Sequence, residues 1–318
     1  MDHDSQGVAR DLSLLKGKDF VSSSDLNSEE IHSLFNLSIQ FKNGYRRIDL
    51  GNRVLGLIFS KASTRTRVSF QVAMARLGGQ VIDLGVQSTQ IGRGESLKDT
   101  ARVLSRYCDA LAIRTYSHQE LIDYANWSSI PVINALTDLE HPCQALADFL
   151  TIKENFGKLD GLTLSYIGDG NNVSNSLMIC GALLGVNVRV ASPKGFEPKS
   201  LVVQQARALA TLGSSIQILN DPYEAVQGSN AIYTDVWASM GQEQEQQHRR
   251  VAFSKFSVDE TLLSEADSEA IVLHCLPAHR GEEISDELIE GFSSRIFDQA
   301  ENRLHVQQAL LAALLGGL

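Results

Sequence analysis

The sequence has few cysteines, few basic residues relative to acidic ones, and no long hydrophobic run. Its four cysteines lie far apart and form no Cys-x-x-Cys pair, so we expect neither a disulfide framework nor a zinc knuckle. The longest apolar stretch, Ala309 to Leu315, is too short to span a bilayer. The polar start of the chain, residues 1–11, lacks the apolar segment of a signal peptide. We therefore expect a cytoplasmic protein that crosses no membrane.

Positive charge is scarce as well. Lys and Arg number 28 and Asp and Glu number 38, which gives a formal net charge of −10. Nucleic acids and anionic membranes are therefore not the expected partners, because both require a surface that neutralises phosphate. With 318 residues, 43% of them hydrophobic, the chain is long enough for two globular domains. A local basic pocket for a small phosphorylated molecule remains compatible with this charge.

Short apolar segments alternate with amphipathic segments along almost the whole chain. Segments 54–59, 110–114, 162–167 and 231–234 have the composition of buried strands, and helical spacing follows the first three of them. This alternation predicts an α/β fold of two doubly wound parallel-sheet domains joined by helices, with a single barrel as the alternative. We expect one domain over residues 1–138 and a second over 139–298, with helix 299–318 packing back on the first.

Three polar clusters of the first half follow predicted strands, where ligands bind in open α/β sheets. Residues 60–67 place hydroxyl side chains and two arginines at a helix N-terminus, which indicates a phosphate or carboxylate site, although an ordinary helix cap is the alternative. Arg114 ends a strand, and an arginine in this position, taken alone, is more often a surface residue. His141 and Gln144 flank the start of a helix at Pro142, where a structural cap is an equal alternative.

Three further clusters lie in the second half. The GDGNN sequence at 168–172 is not a dinucleotide site, because Val173 stands where the third glycine would be and no acidic residue ends the next strand. Its amides suit a small polar ligand instead. Asp235 follows a strand and suits an ammonium group. Cys275 lies beside His274, and a nucleophile or a small buried side chain are both compatible with that position.

Seven motifs taken together in chain order resemble the aspartate/ornithine transcarbamylase family, on its ornithine branch. The motifs are STRTR at 63–67, QIGRGES at 90–96, HPCQ at 141–144, GDGNN at 168–172, DVWASMGQE at 235–243, HCLPAHRGEE at 274–283 and ENR at 301–303. The resemblance implies that residues 1–138 bind carbamoyl phosphate and residues 139–298 bind L-ornithine. It also implies carbamoyl transfer to the ornithine δ-amine for arginine biosynthesis, without a metal or other cofactor, in a homotrimer or a multiple of trimers.

The resemblance also implies a role for individual residues. Arg114, His141 and Cys275 would be catalytic. Carbamoyl phosphate would be bound by Ser63, Thr64, Arg65, Thr66, Arg114, His141, Gln144, Cys275, Leu276 and Arg303, and by Gln90 from a neighbouring subunit. Ornithine would be bound by Asn172, Asp235, Ser239 and Met240.

Other acceptors and one other class of protein are the alternatives. The SMG sequence at 239–241 and Cys275 favour ornithine, because aspartate carbamoyltransferases lack this SMG loop and carry proline at the position of the cysteine. Relatives that act on N-acetylornithine also depart near Asp235, whereas putrescine-type relatives share enough motifs to remain an alternative. A non-catalytic phosphate or amino-acid binding protein would not need Arg65, Arg114 and His141 together with Cys275.

Overall fold

The computed structural model describes residues 12–45, 48–85, 94–238 and 245–318. The chain divides into two compact units, Met1–Leu146 with Glu301–Leu318, and Ala147–Ala300. The first unit thus continues past the boundary expected at residue 138, into the helix that follows His141. It also takes the last residues of the chain, from Glu301 onward.

The first unit contains a four-stranded parallel sheet. Its strands are β1 (Val54–Phe59), β2 (Gln80–Gly85), β3 (Ala110–Arg114) and β4 (Val132–Leu136), in the order β2-β1-β3-β4. Its helices are α1 (Ser28–Lys42), α2 (Arg65–Arg76), α3 (Leu97–Leu104) and α4 (His118–Trp127). The apolar strands β1, β3 and β4 are buried almost throughout, because covering helices leave such segments no solvent-facing side.

Helix α5 (Pro142–Phe156) begins in the first unit and continues into the second. The second unit has a five-stranded parallel sheet of β5 (Thr163–Ile167), β6 (Asn187–Ala191), β7 (Ile216–Leu219), β8 (Ala231–Thr234) and β9 (Ile271–His274), in the order β7-β6-β5-β8-β9. Its helices are α6 (Asn172–Leu183), α7 (Ser200–Leu209), α8 (Pro222–Val226), α9 (Gln246–Phe253), α10 (Glu260–Leu263) and α11 (Asp286–Glu290).

The final helix, α12 (Ile296–Leu315), contains residues of both units. It is buried along most of its length, including the polar side chains of Gln299, Asn302 and Arg303. Across the described residues no helix combines the length and apolarity needed to cross a membrane. Burial of polar side chains in α12 requires specific partners, and two of these partners belong to the candidate site described below.

Each sheet reverses its strand order once. In the first sheet the chain moves from β1 outward to β2 and then returns to place β3 on the other side of β1; in the second it moves from β5 to β7 and returns with β8. The prediction of two parallel α/β domains is therefore confirmed, and the single-barrel alternative is wrong because both sheets are open. Such reversal points leave a crevice beyond the carboxyl ends of adjacent strands, which is where ligands bind in this class of sheet.

Candidate active site

The loop after β1 and the end of β3 lie side by side at the reversal point of the first sheet. Phe59 is opposite Arg114 in the parallel ladder, and the Ser60 N–H donates to the Arg114 carbonyl oxygen at 2.8 Å. The guanidinium of Arg114 turns back toward the loop, where Nη1 donates to Ser63 Oγ at 3.3 Å. Strand pairing therefore brings together an arginine and a serine that are 51 positions apart in the sequence.

Helix α2 begins at Arg65, directly after this loop. Its N-cap residue, Thr64, makes no side-chain hydrogen bond to the first turn. The positive end of the helix dipole and the first backbone N–H groups of α2 thus come two positions after Ser63 in the chain. A helix N-terminus of this kind favours negative charge. The local structure thus supports the anion site that the STRTR motif predicts.

Helix α12 supplies a second guanidinium to this place. Arg303 Nη2 donates to Thr66 Oγ1 at 2.6 Å, and both side chains are buried. The two residues are 237 positions apart. The Arg303 guanidinium therefore belongs to the same cluster as the STRTR loop, and its role in phosphate binding stays a prediction.

His141, which precedes α5, is buried close to three arginines. Burial is the largest cause that lowers its pKa well below the ordinary value, and the charges of Arg303, Arg114 and Arg65 act in the same direction. The imidazole is therefore neutral near neutral pH and retains one ring N–H that can donate to a carbonyl oxygen. Three guanidinium groups around a neutral ring create a positive potential that suits a phosphate.

Gln144 lies one turn into α5 and is buried, and its backbone N–H donates to the His141 carbonyl oxygen at 3.0 Å. This bond fixes the start of the helix and the place of both side chains. A contact between Gln144 and a carbamoyl group stays a prediction. Gln90, Ser239 and Met240 lie outside the described residues.

Asp235 is the centre of a second group of predicted residues, at the reversal point of the second sheet. It follows β8, which is adjacent to β5, and its side chain is buried. Asn171 Nδ2 donates to Asp235 Oδ2 at 2.8 Å, and the Val236 N–H donates to Oδ1 at 2.8 Å. Asn171 also caps α6, because its Oδ1 accepts from the N–H groups of Val173 and Ser174. Thus the residue that contacts Asp235 is Asn171. Ornithine binding by the neighbouring Asn172 stays a prediction.

Cys275, which follows β9, is part of this second group. Its thiol donates to Asp235 Oδ1 at 3.0 Å. Burial of the thiol raises its pKa well above the ordinary value, and the negative charge of Asp235 raises it further. The side chain is therefore a neutral thiol, which is a poor base and a poor nucleophile.

Leu276 adopts a backbone conformation with φ of +57°, which is uncommon for a side chain of this size. Its N–H donates to His274 Nδ1 at 2.8 Å, and the opposite ring nitrogen, Nε2, is 3.0 Å from Glu283 Oε1. The bond to Leu276 makes Nδ1 an acceptor, so Nε2 carries the proton that faces Glu283. Glu283 is fully buried and also accepts from the His279 N–H at 2.6 Å.

A metal could be considered at the side chains of Asp235, His274 and Cys275. Among the described residues, these three side chains form the group that could hold a metal ion, because one ligand atom of each lies within 4.8 Å of the others. Both ring nitrogens of His274 are engaged by Leu276 and Glu283. A metal ion would have to break one of these bonds, so the residues do not fit a resident metal, and the expectation of a metal-free site stays a prediction.

Two residues that hold the second group in place were not among the residues predicted from the sequence. One is Glu283, which lies at the end of the HCLPAHRGEE motif and fixes the ring of His274. The other is Arg249 on α9, outside every motif, which donates to Asp169 at 2.9 Å. Each of these residues has a charged neighbour, Arg250 or Glu282, and nothing in the local sequence gives its partner.

Two family models match the chain. The carbamoyl-P binding domain of aspartate/ornithine carbamoyltransferases matches residues 18–154, and the Asp/Orn binding domain matches residues 160–314. An ornithine carbamoyltransferase from Prochlorococcus marinus is 70% identical over 318 residues, which is 100% of both chains. Among solved structures, ornithine carbamoyltransferase from Gloeobacter violaceus gives a TM-score of 0.87 at 53% identity, covering 95% of this chain and 99% of that one. The enzyme from Pyrococcus furiosus gives 0.91 at 48% identity, covering 96% and 99%.

The open parallel sheets, the arginine cluster at one reversal point and these matches define the class of protein as a carbamoyl-group transferase. This class excludes the non-catalytic binding protein considered above. The chain belongs to the aspartate/ornithine carbamoyltransferase family. The relatives with which it shares up to 70% of its residues carry the name ornithine carbamoyltransferase.

Proposed function

We propose that this chain transfers the carbamoyl group of carbamoyl phosphate to the δ-amine of L-ornithine and releases L-citrulline and phosphate. The observation that carries the proposal is the state of Asp235. Its carboxylate is buried, its partners are an amide, a backbone N–H and a thiol, and no lysine or arginine of the described chain pairs with it. A buried carboxylate is costly without a cation. The α-ammonium group of ornithine supplies that cation.

The same group of residues favours ornithine over aspartate. An aspartate acceptor carries a second carboxylate, which would require a further cation. Arg249 contacts the loop before α6, but its guanidinium is bound to Asp169. The SMG sequence at 239–241 and Cys275 also belong to the ornithine branch of the family.

The proposed roles in carbamoyl phosphate binding follow the arginine cluster. Ser63, Thr64, Arg65, Thr66 and Arg303 hold the phosphate. Arg114 and His141 donate to the carbonyl oxygen, where negative charge develops during the reaction. Gln144, the Leu276 backbone and Cys275 surround the carbamoyl group, and Gln90 is contributed by a neighbouring subunit. Asn172, Ser239 and Met240 complete the ornithine contacts around Asp235.

Carbamoyl phosphate is a reactive mixed anhydride, so the protein has to position it and stabilise developing charge. The δ-ammonium of ornithine, with an intrinsic pKa of about 10.4 like that of lysine, must first lose a proton. Its nitrogen then attacks the carbonyl carbon, the C–N bond forms, and the tetrahedral oxyanion collapses as the C–O bond to phosphate breaks. The first proton leaves to solvent before the attack, and the second, which the nitrogen releases once the C–N bond has formed, passes to the leaving phosphate, since Cys275 is held as a thiol.

We also propose that the enzyme acts in arginine biosynthesis in the cytoplasm, as a homotrimer or a multiple of trimers. The separated cysteines support a reducing compartment. An interface between copies is supported by β2, which is an edge strand and exposes 46% of Ile82. Light scattering of the purified protein should give three times the mass of one chain or a multiple of that value.

One assay tests the proposed function. Purified protein is incubated with carbamoyl phosphate and, in separate reactions, with ornithine, putrescine, N-acetylornithine or aspartate. We expect citrulline from ornithine, with kcat/KM at least about 100-fold above that for the other acceptors, because a missing or extra buried charge costs that much. Absence of citrulline, or a higher kcat/KM for another acceptor, would contradict the proposal.

A further inference from the structure

Arg249 on α9 is a buried arginine for which the reaction described above has no role. Its side chain is 8% exposed, while the next residue, Arg250, is 48% exposed. A guanidinium is retained in such a place when several specific partners compensate its burial. Besides Glu245, whose Oε2 accepts from Arg249 Nε at 3.2 Å, the partners of Arg249 come from three separate segments of the second unit.

Arg249 contacts both the loop after β5 and the segment after β8, which lie at the reversal point of the second sheet. Its Nη1 donates to Asp169 Oδ2 at 2.9 Å and also to the Trp237 carbonyl oxygen at 2.9 Å. The guanidinium lies over the ring of Phe196, 5.0 Å from the centroid. The Arg249 guanidinium thus connects the loop after β5 to the segment after β8.

Both tied segments lead directly to Asp235. Trp237 lies two positions after Asp235, and Asp169 lies two positions before Asn171, whose Nδ2 donates to Asp235. The loop between them is closely packed: the Gly170 N–H donates to the Phe196 carbonyl oxygen at 2.7 Å, and a Cβ on Gly170 would lie 2.2 Å from the Pro198 nitrogen. A displacement of Arg249 is therefore transmitted to the carboxylate and the amide of the amino-acid site.

We propose that Arg249 is a positioning residue for the amino-acid substrate, which holds Asp235 and Asn171 in the arrangement that binds the ornithine head group. The inference rests on the proposed function, and it adds a residue to which neither the motifs nor the domain descriptions give a role. Arg249 acts through Asp169 and the Trp237 carbonyl and does not itself touch the substrate.

Charge explains why a cation is required at this position. Asp169 and Asp235 repel each other, and burial raises the pKa of Asp169, while the charge and the hydrogen bond of Arg249 oppose that rise. Shape explains why the cation is an arginine. A guanidinium donates two bonds from one nitrogen and stacks on a ring, whereas a lysine ammonium is a point charge without a flat face. Lysine is therefore expected to keep the charge and lose the geometry.

The first test is steady-state kinetics of Arg249→Lys, with Arg250→Lys as the matched control. Arg250 lies on the same helix but is exposed and pairs with Glu282. We expect the KM for ornithine to rise by about 10- to 100-fold in Arg249→Lys, with the KM for carbamoyl phosphate changed less than about twofold. Arg250→Lys should leave both constants within about twofold. An unchanged ornithine KM in Arg249→Lys, or an equal rise in both KM values, overturns the inference.

The second test separates positioning from support of the fold. Arg249→Met leaves Asp169 buried without its cation, and this variant alone is expected to unfold at a lower temperature. The double variant Arg249→Met with Asp169→Asn removes both charges, so we expect its melting temperature to return toward that of the unchanged chain. Its ornithine KM should stay raised because the tie between the loops is still absent. Recovery of the ornithine KM together with the melting temperature overturns the inference.

The unchanged chain decides between failure of this inference and failure of the proposed function. Citrulline formation by the unchanged chain supports the function whatever the variants do. If the unchanged chain forms citrulline and Arg249→Lys keeps its ornithine KM, the positioning role alone is wrong. If the unchanged chain forms no citrulline with ornithine, the function and the inference that rests on it are both wrong.

Discussion

The thiol of Cys275 donates a hydrogen bond to Oδ1 of Asp235 across 3.0 Å, so the cysteine of the candidate site is a proton donor. Burial and the carboxylate both stabilise this protonated form, since a thiolate at this place would face a negative charge in a poorly solvated position. The arrangement leaves Asp235 as the negative group that attracts an ammonium ion. The proton that the attacking nitrogen releases after the C–N bond forms is therefore expected to pass to the leaving phosphate rather than to the cysteine.

The first prediction compares Cys275→Ser with Arg114→Met. The serine hydroxyl can replace the donor to Asp235, so we expect kcat to fall by no more than about tenfold. Loss of the Arg114 guanidinium removes a donor to the developing oxyanion, which costs about 100- to 1,000-fold in kcat. Steady-state citrulline formation measures both values. Equal losses in the two variants would instead indicate that Cys275 acts as a base.

The second prediction concerns phosphate binding by the STRTR loop. Arg65 begins α2 two positions after Ser63, and its charge acts on His141, whereas Arg67 pairs with Asp83 on β2. Saturating inorganic phosphate should stabilise the unchanged chain by about 2.7 kcal/mol at 100 times its dissociation constant. We expect Arg65→Gln to lose most of this stabilisation and the matched control Arg67→Gln to keep it, as measured by thermal unfolding with and without phosphate. If Arg67→Gln lost the stabilisation by phosphate and Arg65→Gln kept it, the anion would not bind at Arg65.

The fold was predictable from the sequence because its strands are short apolar runs bounded by turns. The apolar patterns predict 54–59, 110–114 and 231–234, which are the bounds of β1, β3 and β8. The final helix was expected from residue 299 and begins at Ile296, since Arg295 before it is not one of the usual capping residue types. The local sequence pattern was sufficient to predict an element wherever burial of an apolar segment determined its structure.

The candidate site was predictable only in part. The hydroxyl and arginine residues of the STRTR loop are adjacent in sequence, and the structure indeed places them at one helix N-terminus. The partner of Arg249 is Asp169, 80 positions away, and no periodicity or turn rule gives such a pairing. The protonation state of Cys275 was not predictable from the sequence either, because the pKa of its thiol depends on burial and on Asp235, which follows a different strand.

A third prediction concerns pH and stability. Burial and neighbouring arginines lower the pKa of His141, and burial also lowers that of His305. Below the unfolded value of about 6.5, the unfolded chain binds more protons than the folded chain at these positions. The free energy of unfolding is therefore expected to fall as the pH falls below about 6.5. It should fall by up to about 1.4 kcal/mol per pH unit for each such histidine.

His141→Gln removes one of these two groups. Its free energy of unfolding should depend less steeply on pH between about 6.5 and 5 than that of the unchanged chain, and His305→Gln should show the same direction of change. Urea unfolding at a series of pH values measures the slope. Identical slopes in His141→Gln and the unchanged chain would mean that the imidazole is not held neutral by its surroundings.

The fourth prediction tests the acidic group. Asp235→Asn removes the charge that faces the α-ammonium group while it keeps the size of the side chain. We expect the ornithine KM to rise by about 10- to 100-fold, because a charged hydrogen bond contributes roughly 1.5–3 kcal/mol and the attraction between the lost carboxylate and the ammonium group is not replaced. The KM for carbamoyl phosphate should change far less. Similar changes in both constants would mean that Asp235 supports the fold and does not bind the amino acid.

The most direct test of the account is a competition for a labelled carbamoyl group. Carbamoyl phosphate labelled at its carbonyl carbon is given to the enzyme with equal amounts of ornithine, putrescine, N-acetylornithine and aspartate, and the products are identified by fragmentation in a mass spectrometer. The account predicts labelled citrulline with the carbamoyl group on the δ-nitrogen and one phosphate released for each citrulline formed. Label on another acceptor in preference to ornithine, or phosphate release without labelled citrulline, would contradict it.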